Sequence, residues 1–215
     1  RLPGNGGFRV RDDGSLLGIT GNLIHGKRGS ALGLIQNGGD VNVLGDMILA
    51  EHVNSISDLL VGGTGSSLII SGNLTVADEG EATLVVRNDA EAISDGFVIG
   101  SSTHGNGLVR LNNASWTILG SPLIVGDSGE GTLVLRDGGM LDQSIPGGPV
   151  TLGAQADGAG GLVIGGAGAT PQAPGILRAD EITTGPGSGG ILFHHTRDHH
   201  FTDTGAAGGT PIVIS

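Results

Sequence analysis

The tetrapeptide GDSG at residues 126–129 is the first candidate for chemistry. One class of serine proteases carries it around the nucleophile, which needs a His base and a carboxylate that orients this base. In this chain, however, ADEG at 77–80 and GKRG at 26–29 stand in the same slot of a repeated pattern. The tetrapeptide is therefore predicted to form a corner between strands, and Ser128 is not expected to be catalytic.

A cluster of imidazoles lies in the segment FHHTRDHHF at residues 193–201. Neutral imidazoles and a carboxylate are ligands that Zn²⁺ and Ni²⁺ accept. On a strand, His194 and His200 would share one face, and His195 and His199 would share the other. Because two ligands on a face fall short of a structural metal site, we expect a surface strand with a polar turn and no bound metal.

Other histidines stand alone at positions 25, 52 and 104. His25 occupies a position where other copies of the repeat place Val or Leu, so we expect a hydrogen-bonded coil residue and not a ligand. A calcium-binding repeat is approached by GGTGSSL at 62–68, but Ser67 stands where the ligating Asp is needed and the motif does not recur. No cofactor or metal is therefore expected.

Carboxylates recur at like positions in two copies of the repeat, namely Asp78, Glu81, Asp127 and Glu130. Polysaccharide-cleaving enzymes place two acids about 5 to 9 Å apart, whereas like positions two coils apart would be separated by roughly 10 Å. Such enzymes also hold sugars against aromatic rings, and only 2% of this chain is aromatic. The acids are interpreted as solvated charges that oppose side-by-side association, without a catalytic role.

Internal repetition organises the chain. The segment VADEGEATLVVRNDA at 76–90 matches VGDSGEGTLVLRDGG at 125–139 without a gap, with about eight identities. The segment HGKRGSALGLIQNGG at 25–39 aligns with the latter at a shift of about 100, and looser copies begin at Leu49 and Ile99. A period near 25 residues explains these shifts.

Each copy contains short runs in which apolar residues alternate with others, separated by Gly or Asn-Gly. A period of two predicts strands with one buried face, and Gly supplies the positive φ that tight corners need. The pattern contains no amphipathic helix. It predicts an all-β chain, a right-handed parallel β-helix with three short strands in each coil of about 25 residues. Eight or nine coils would form a rod about 40 Å long, with regular repeats over 1–170 and coils of altered pattern over 171–215.

Composition limits the possible partners. The net charge is −11 with Lys27 as the one lysine, which disfavours nucleic acid and anionic lipid because these bind Lys and Arg. There are no cysteines, so neither a disulfide scaffold nor a thiolate site is available. The chain opens on RLPG and has no apolar run of membrane-spanning length, so it is expected to be an excised soluble fragment.

The coils of type VGDSGEGTLVLRDGG, the segment LRADEI at 177–182 and GILFHHT at 190–196 resemble passenger domains of the type V autotransporter family, the AIDA and pertactin-like group. In that family a G-x-L-x-F-N-H-T strand followed by Y-x-F is common; here His194 stands in place of Asn. The resemblance implies export across the outer membrane of a bacterium, a C-terminal membrane barrel outside this sequence, and surface display.

These observations together predict a surface-displayed or secreted adhesin, or a self-association module of aggregates and biofilms, and not an enzyme. Its partner would be a host surface or matrix component, or another copy of the chain, held through many polar contacts along one face. Longer loops near 91–95 and 165–175 would favour binding. The alternatives are a polysaccharide-acting enzyme on the same scaffold and a passive stalk.

Overall fold

The computed structural model of the chain describes residues 6–120, 122–143, 148–166 and 168–196. These ranges contain 22 strands, numbered β1 to β22 in chain order, and no helix. Each coil of roughly 25 residues places one strand in each of three sheets, and about seven turns are stacked. All strand pairs in the three sheets are parallel, which confirms the predicted parallel β-solenoid and its coil length.

Each sheet gathers every third strand of the chain. Sheet A contains β1 (Gly6–Arg11), β4 (Ser30–Gln36), β7 (Ile56–Gly62), β10 (Glu81–Arg87), β13 (Asn106–Asn112), β16 (Glu130–Arg136), β19 (Ala159–Gly165) and β22 (Ser188–His194). Sheet B contains β2 (Leu16–Ile19), β5 (Asp40–Val43), β8 (Ser67–Ile70), β11 (Glu91–Ser94), β14 (Ser115–Ile118), β17 (Met140–Asp142) and β20 (Ile176–Arg178). Sheet C contains β3 (Leu23–His25), β6 (Met47–Leu49), β9 (Asn73–Val76), β12 (Gly96–Ile99), β15 (Leu123–Val125), β18 (Pro149–Leu152) and β21 (Glu181–Thr184). The described coils are fewer than the eight or nine expected, and at about 4.8 Å between strands the eight strands of sheet A span about 34 Å.

The core is a stack of aliphatic layers, because alternate residues of every strand point inward. One coil shows the pattern, with exposure of 2% or less at Leu59, Val61, Leu68, Ile70, Leu74 and Val76. Burial of each such side chain stabilises the fold by about 1.5–3 kcal/mol. Since equivalent residues stack in register from coil to coil, the layers form one continuous core.

Three corners connect the sheets, and two of them depend on backbone with positive φ. At the corner from sheet C to sheet A these residues are Gly26, Ala50, Ala77, Gly100, Gly126 and Gly153. At the corner from sheet A to sheet B they are Asp12, Asn37, Gly63, Asn88, Asn113 and Asp137. Gly, Asn and Asp tolerate this conformation best, so the punctuation by Gly and Asn-Gly in the sequence predicts the corners correctly.

The first inward position of sheet A is occupied by a small residue in successive coils: Ala31, Ser57, Ala82, Gly107, Gly131 and Gly160. This position lies beside the corner from sheet C, where the backbone is close. A Cβ on Gly131 would lie 2.5 Å from the carbonyl oxygen of Ile99 and against the amide of Gly126. A Cβ on Gly107 would lie 2.7 Å from Ile99 Cγ2. Packing therefore excludes larger side chains here.

The segment at 91–95 was expected to be a loop, and this expectation is wrong. Residues Glu91–Ser94 form β11, which pairs with β8 and β14. Its inward residues are small, and the space they leave is filled by Trp116 of the next coil, which pairs with Ala92. The Trp116 ring stacks on Phe97 at 4.6 Å between centroids, and its Nε1 donates a hydrogen bond to Ser94 Oγ at 3.1 Å.

Candidate functional site

The tetrapeptide at 126–129 forms the corner between β15 and β16, as predicted. Gly126 has φ 71°, and the amide of Ser128 donates to the carbonyl of Ser101 at 3.1 Å. The segments 26–29 and 77–80 occupy the same corner in other coils. Asp127 and Ser128 are half-buried in a stack of backbone hydrogen bonds, so the motif serves as a strand connection.

The corner from sheet C to sheet A, which we call the polar ridge, is formed by segments 26–29, 50–55, 77–80, 100–105, 126–129, 153–158 and 185–187. Short and long segments alternate along most of it. The long segments close with a backbone turn, as in Ser55 N to His52 O at 2.9 Å and Gly105 N to Ser102 O at 2.7 Å. Exposed residues such as Asn54, His104 and Asp157 lie at these turns. Every second coil therefore projects further from the rod than its neighbours.

Charged side chains of successive coils meet at one end of the polar ridge. Lys27 Nζ lies 3.0 Å from Glu51 Oε2. His52 lies between two carboxylates, with Nε2 at 3.4 Å from Glu51 and Nδ1 at 3.6 Å from Glu79. Because the Lys27 side chain is 59% exposed, this pair contributes at most about 1 kcal/mol to stability. These contacts link neighbouring coils; the Glu51 side chain is only 19% exposed, whereas those of Lys27 and Glu79 are 59% and 43% exposed.

The predicted spacing of the recurrent acids is confirmed by strand register. Glu81 pairs with Asn106, and Asn106 pairs with Glu130, so the two glutamates are two coils apart, about 10 Å. At the adjoining corner, Ser102 Oγ donates to Asp78 Oδ1 at 3.4 Å. A neutral residue, Asn106, therefore lies between Glu81 and Glu130 in the row of first strand residues that borders the ridge.

Histidines are found in two kinds of environment. His25 is 4% exposed inside the core, where its Nδ1 hydrogen bonds to Ser57 Oγ at 2.7 Å, which confirms the expected coil residue. Burial lowers the pKa of His25, an effect that the backbone of Leu32 and the charge of Asp58 partly oppose. At the end of β22, His194 Nδ1 lies 3.1 Å from the carbonyl oxygen of Gly166.

Of the other members of the predicted histidine cluster, His195 forms an isolated parallel bridge with Gln172, and His199 and His200 lie outside the described residues. Within the described part of the chain, no three His, Asp or Glu side chains are grouped to hold a metal ion.

The connection at 165–175 is irregular, as expected. It returns along the edge of the rod, where Gln172 Oε1 accepts a hydrogen bond from Arg136 Nη1 at 2.7 Å and Ala173 O accepts one from the Asp137 amide at 2.7 Å. Pro174 forms an isolated antiparallel bridge with Arg136. This loop is therefore fixed against sheet A by side-chain and backbone contacts.

Sequence reasoning did not identify the outer face of sheet A as a distinct surface. Its outward residues include most arginines of the described chain: Arg9, Arg11, Arg87, Arg110 and Arg136. The same face exposes aliphatic side chains, including Leu32 at 51% and Ile56 at 43%. The available signal was the identical spacing in EATLVVR and EGTLVLR, where alternate residues are Glu, Thr, Val and Arg.

Searches for similar proteins return no matching family model, curated protein or solved structure. Separately, no helix in the described ranges has the length and apolarity needed to cross a membrane.

Proposed function

We propose that this chain is part of a passenger domain displayed on a bacterial surface, and that it acts as an adhesin or self-association module. The observation that supports this proposal is the polar ridge, which offers exposed Asp, His, Asn and Thr side chains along the stack of coils and is bordered by the exposed Glu81 and Glu130. Its partner is a host surface or matrix component, or a second copy of the chain. The right-handed sense of the coil belongs to the same proposal and rests on the usual hand of parallel crossovers.

Binding through the ridge has a cumulative mechanism. Each exposed polar pair contributes only about 0–1 kcal/mol, but the stacked coils hold many such groups at a fixed spacing of about 4.8 Å. A partner with its own repeated groups can engage several coils at once, and this multivalency raises the overall affinity. Exposed acids along the ridge favour a partner that carries basic groups or hydrogen-bond donors.

The test uses cells that display the intact passenger, with surface display verified by antibody labelling. Clumping of cells and binding to host cells, matrix and glycans are measured for each single change and for the combined change of Asp78, Glu81, Asp127 and Glu130 to the corresponding amides. We expect each single change to have a small effect and the combined change a large one. Loss of binding indicates a basic partner, and stronger clumping indicates self-association that the acids oppose.

A matched control removes the same charge elsewhere, in the combined variant Asp12→Asn, Asp13→Asn, Asp89→Asn and Glu91→Gln. This control should behave as the wild type, because these acids lie at or beside the corner between sheets A and B. If displayed wild-type passenger neither clumps cells nor binds any surface across the ionic strengths tried, the adhesin proposal fails. A passive stalk then becomes the better account.

A further inference from the structure

The outer face of sheet A has a charge pattern that is repeated within single strands. In β10 the outward residues are Glu81, Thr83, Val85 and Arg87, and in β16 they are their counterparts Glu130, Thr132, Val134 and Arg136. Each strand of this kind begins with an acid and ends with an arginine about 20 Å away. The two charges of one strand are too far apart to neutralise each other.

Two arginines on this face have no counterion of their own in the described ranges, whereas Arg136 lies 3.8 Å from the carboxylate of Asp137. Arg87 and Arg110 have no carboxylate within 4.0 Å among the described residues. Arg110 is half-buried and lies in register between Val85 and Val134. The chain has a net charge of −11, and yet these arginines have no carboxylate partner in the part of it that the structure describes. Their guanidinium groups are therefore suited to bind carboxylates of another molecule.

Between the two margins most outward residues are aliphatic, but Arg9, Asp58 and Arg110 also point outward there. The aliphatic residues include Leu32, Leu34, Leu60, Val85 and Leu108. Leu32 is 51% exposed, and the other four are half-buried by their neighbours along the sheet. A surface of aliphatic side chains with a few charges, flanked by complementary charges at its margins, has the composition of a non-obligate protein interface.

We propose that this face joins two copies of the chain, side by side and pointing in the same direction, about a two-fold axis parallel to the solenoid axis. This axis sets strands of the two copies antiparallel, so the first residue of a strand faces the seventh residue of the same strand in the second copy. Glu81 then faces Arg87 of the second copy, and Arg87 faces its Glu81. A two-fold axis parallel to the strands would instead place first residue on first residue, without this charge complementarity.

The size of the face fits a weak dimer. The outward Val134 of β16 and Val163 of β19 are covered, so the continuous accessible face comprises β1, β4, β7, β10 and β13. At about 4.8 Å between strands about 20 Å long, these strands give about 500 Å² for each copy and about 1,000 Å² in total. This total lies below the usual range for specific interfaces, about 1,200–2,000 Å², in the region of weak and transient contacts. The acids interpreted from sequence as opposing side-by-side association would instead direct it.

The two Glu–Arg strands are not equally free to pair. Val134 and Val163 are only 1% and 8% exposed although they face outward, and Arg136 already donates to Asn112 Oδ1 at 2.6 Å and to Gln172 Oε1 at 2.7 Å. In β10, by contrast, Glu81 and Arg87 are both exposed. The pair in β10 is therefore the one to test. Glu81 is also among the acids that the display test changes, so the two proposals are separated by Arg87, which lies at the opposite end of β10 from the polar ridge.

Sedimentation velocity of the purified chain over a concentration series tests the proposal by charge exchange. We expect the wild type to form dimers as concentration rises, and Arg87→Glu and Glu81→Arg each to weaken dimerisation at least about tenfold, because each variant opposes like charges. Mixing the two single variants should restore a dimer, since both pairs are then complementary. Arg28→Glu makes the same charge change on the polar ridge and should dimerise as the wild type.

Circular dichroism first establishes that each variant retains the strand spectrum. The proposal is overturned if the wild type remains monomeric up to several hundred micromolar. It is equally overturned if the single variants dimerise like the wild type, or if their mixture forms no heterodimer. Clumping of displaying cells that persists alongside a monomeric chain in solution would leave the proposed function standing and remove the dimer.

Discussion

A single imidazole in the core makes the first coils sensitive to acid. His25 takes the place that Leu49 and Val76 occupy in the next coils, and its ring meets the edge of Phe8 at 5.3 Å between centroids. Its hydrogen bond to Ser57 satisfies one ring nitrogen while the ring stays neutral. Protonation would place a charge inside an aliphatic stack, which costs far more than exposing it to water.

Stability is therefore expected to fall as the pH drops below about 6.5. Burial lowers the pKa of His25 from its ordinary value of 6.5, so the unfolded chain takes up a proton in a range where the folded chain does not. Over that pH range, the free energy of unfolding falls by an amount that approaches about 1.4 kcal/mol for each pH unit. Urea unfolding at pH 7.5, 6.5 and 5.5 measures this loss. The free energy of unfolding should fall more steeply with decreasing pH in the wild type than in the double variant His25→Leu with Ser57→Ala.

The double variant gives these positions the residues found at Leu49 and Ala82, so its core remains apolar and satisfied. As a control, His104→Gln removes an exposed imidazole and should keep the wild-type dependence on pH. Parallel pH profiles for the wild type and the double variant would contradict the assignment of this sensitivity to His25.

At the scale of strands and corners, close approach of the backbone selects residue size. Gly131 is the first inward residue of β16, and a Cβ there would meet the amide of Gly126 and the carbonyl oxygen of Ile99. We expect Gly131→Ala to lower the free energy of unfolding by about 1–3 kcal/mol, because a Cβ there must displace backbone. Gly18→Ala is the matched control: a Cβ at Gly18 has no atom within 4 Å, so its effect should stay within about 0.5 kcal/mol.

Urea midpoints of the two variants measure this contrast. If Gly131→Ala were as stable as Gly18→Ala, the backbone at the corner would accommodate a Cβ without loss of stability. The steric exclusion of larger side chains at the first inward position of sheet A would then be wrong.

The strands and corners could be predicted because their causes are local. Alternation of apolar residues specifies the inward face, and Gly or Asn specifies backbone with positive φ, so the corner at 126–129 followed directly from the repeat. The strand at Glu91–Ser94 could not be predicted in this way. Its layer is completed by Trp116 from the next coil, and contacts between coils are invisible in the sequence of one coil.

The candidate surfaces were predicted only in part, for a related reason. The acids of the polar ridge were identified by their recurrence, and their two-coil spacing follows from register. The alternation of short and long corners, and the margin of arginines on sheet A, depend on which positions align across coils. Small differences in coil length shift that alignment, so it is set by the stack and not by any single repeat.

At the scale of the whole molecule, the sheet hydrogen bonds connect each coil to the coils before and after it. Such a stack behaves as a one-dimensional array, in which stability is a sum of coil and interface contributions. Among the described residues, the first and last coils pair with one described coil each, whereas the inner coils pair with two. Loss of structure is therefore expected to begin at the ends and to spread inward.

This nearest-neighbour stacking has a mechanical consequence. If tension is applied between the two ends of the chain, an end coil can peel away while the next coil stays closed, so extension should proceed in discrete steps. Each coil of roughly 25 residues releases about 80 Å of chain when it straightens. A force trace should then be a sawtooth with about that period, which would allow a rod of this kind to lengthen under load without losing its remaining coils at once.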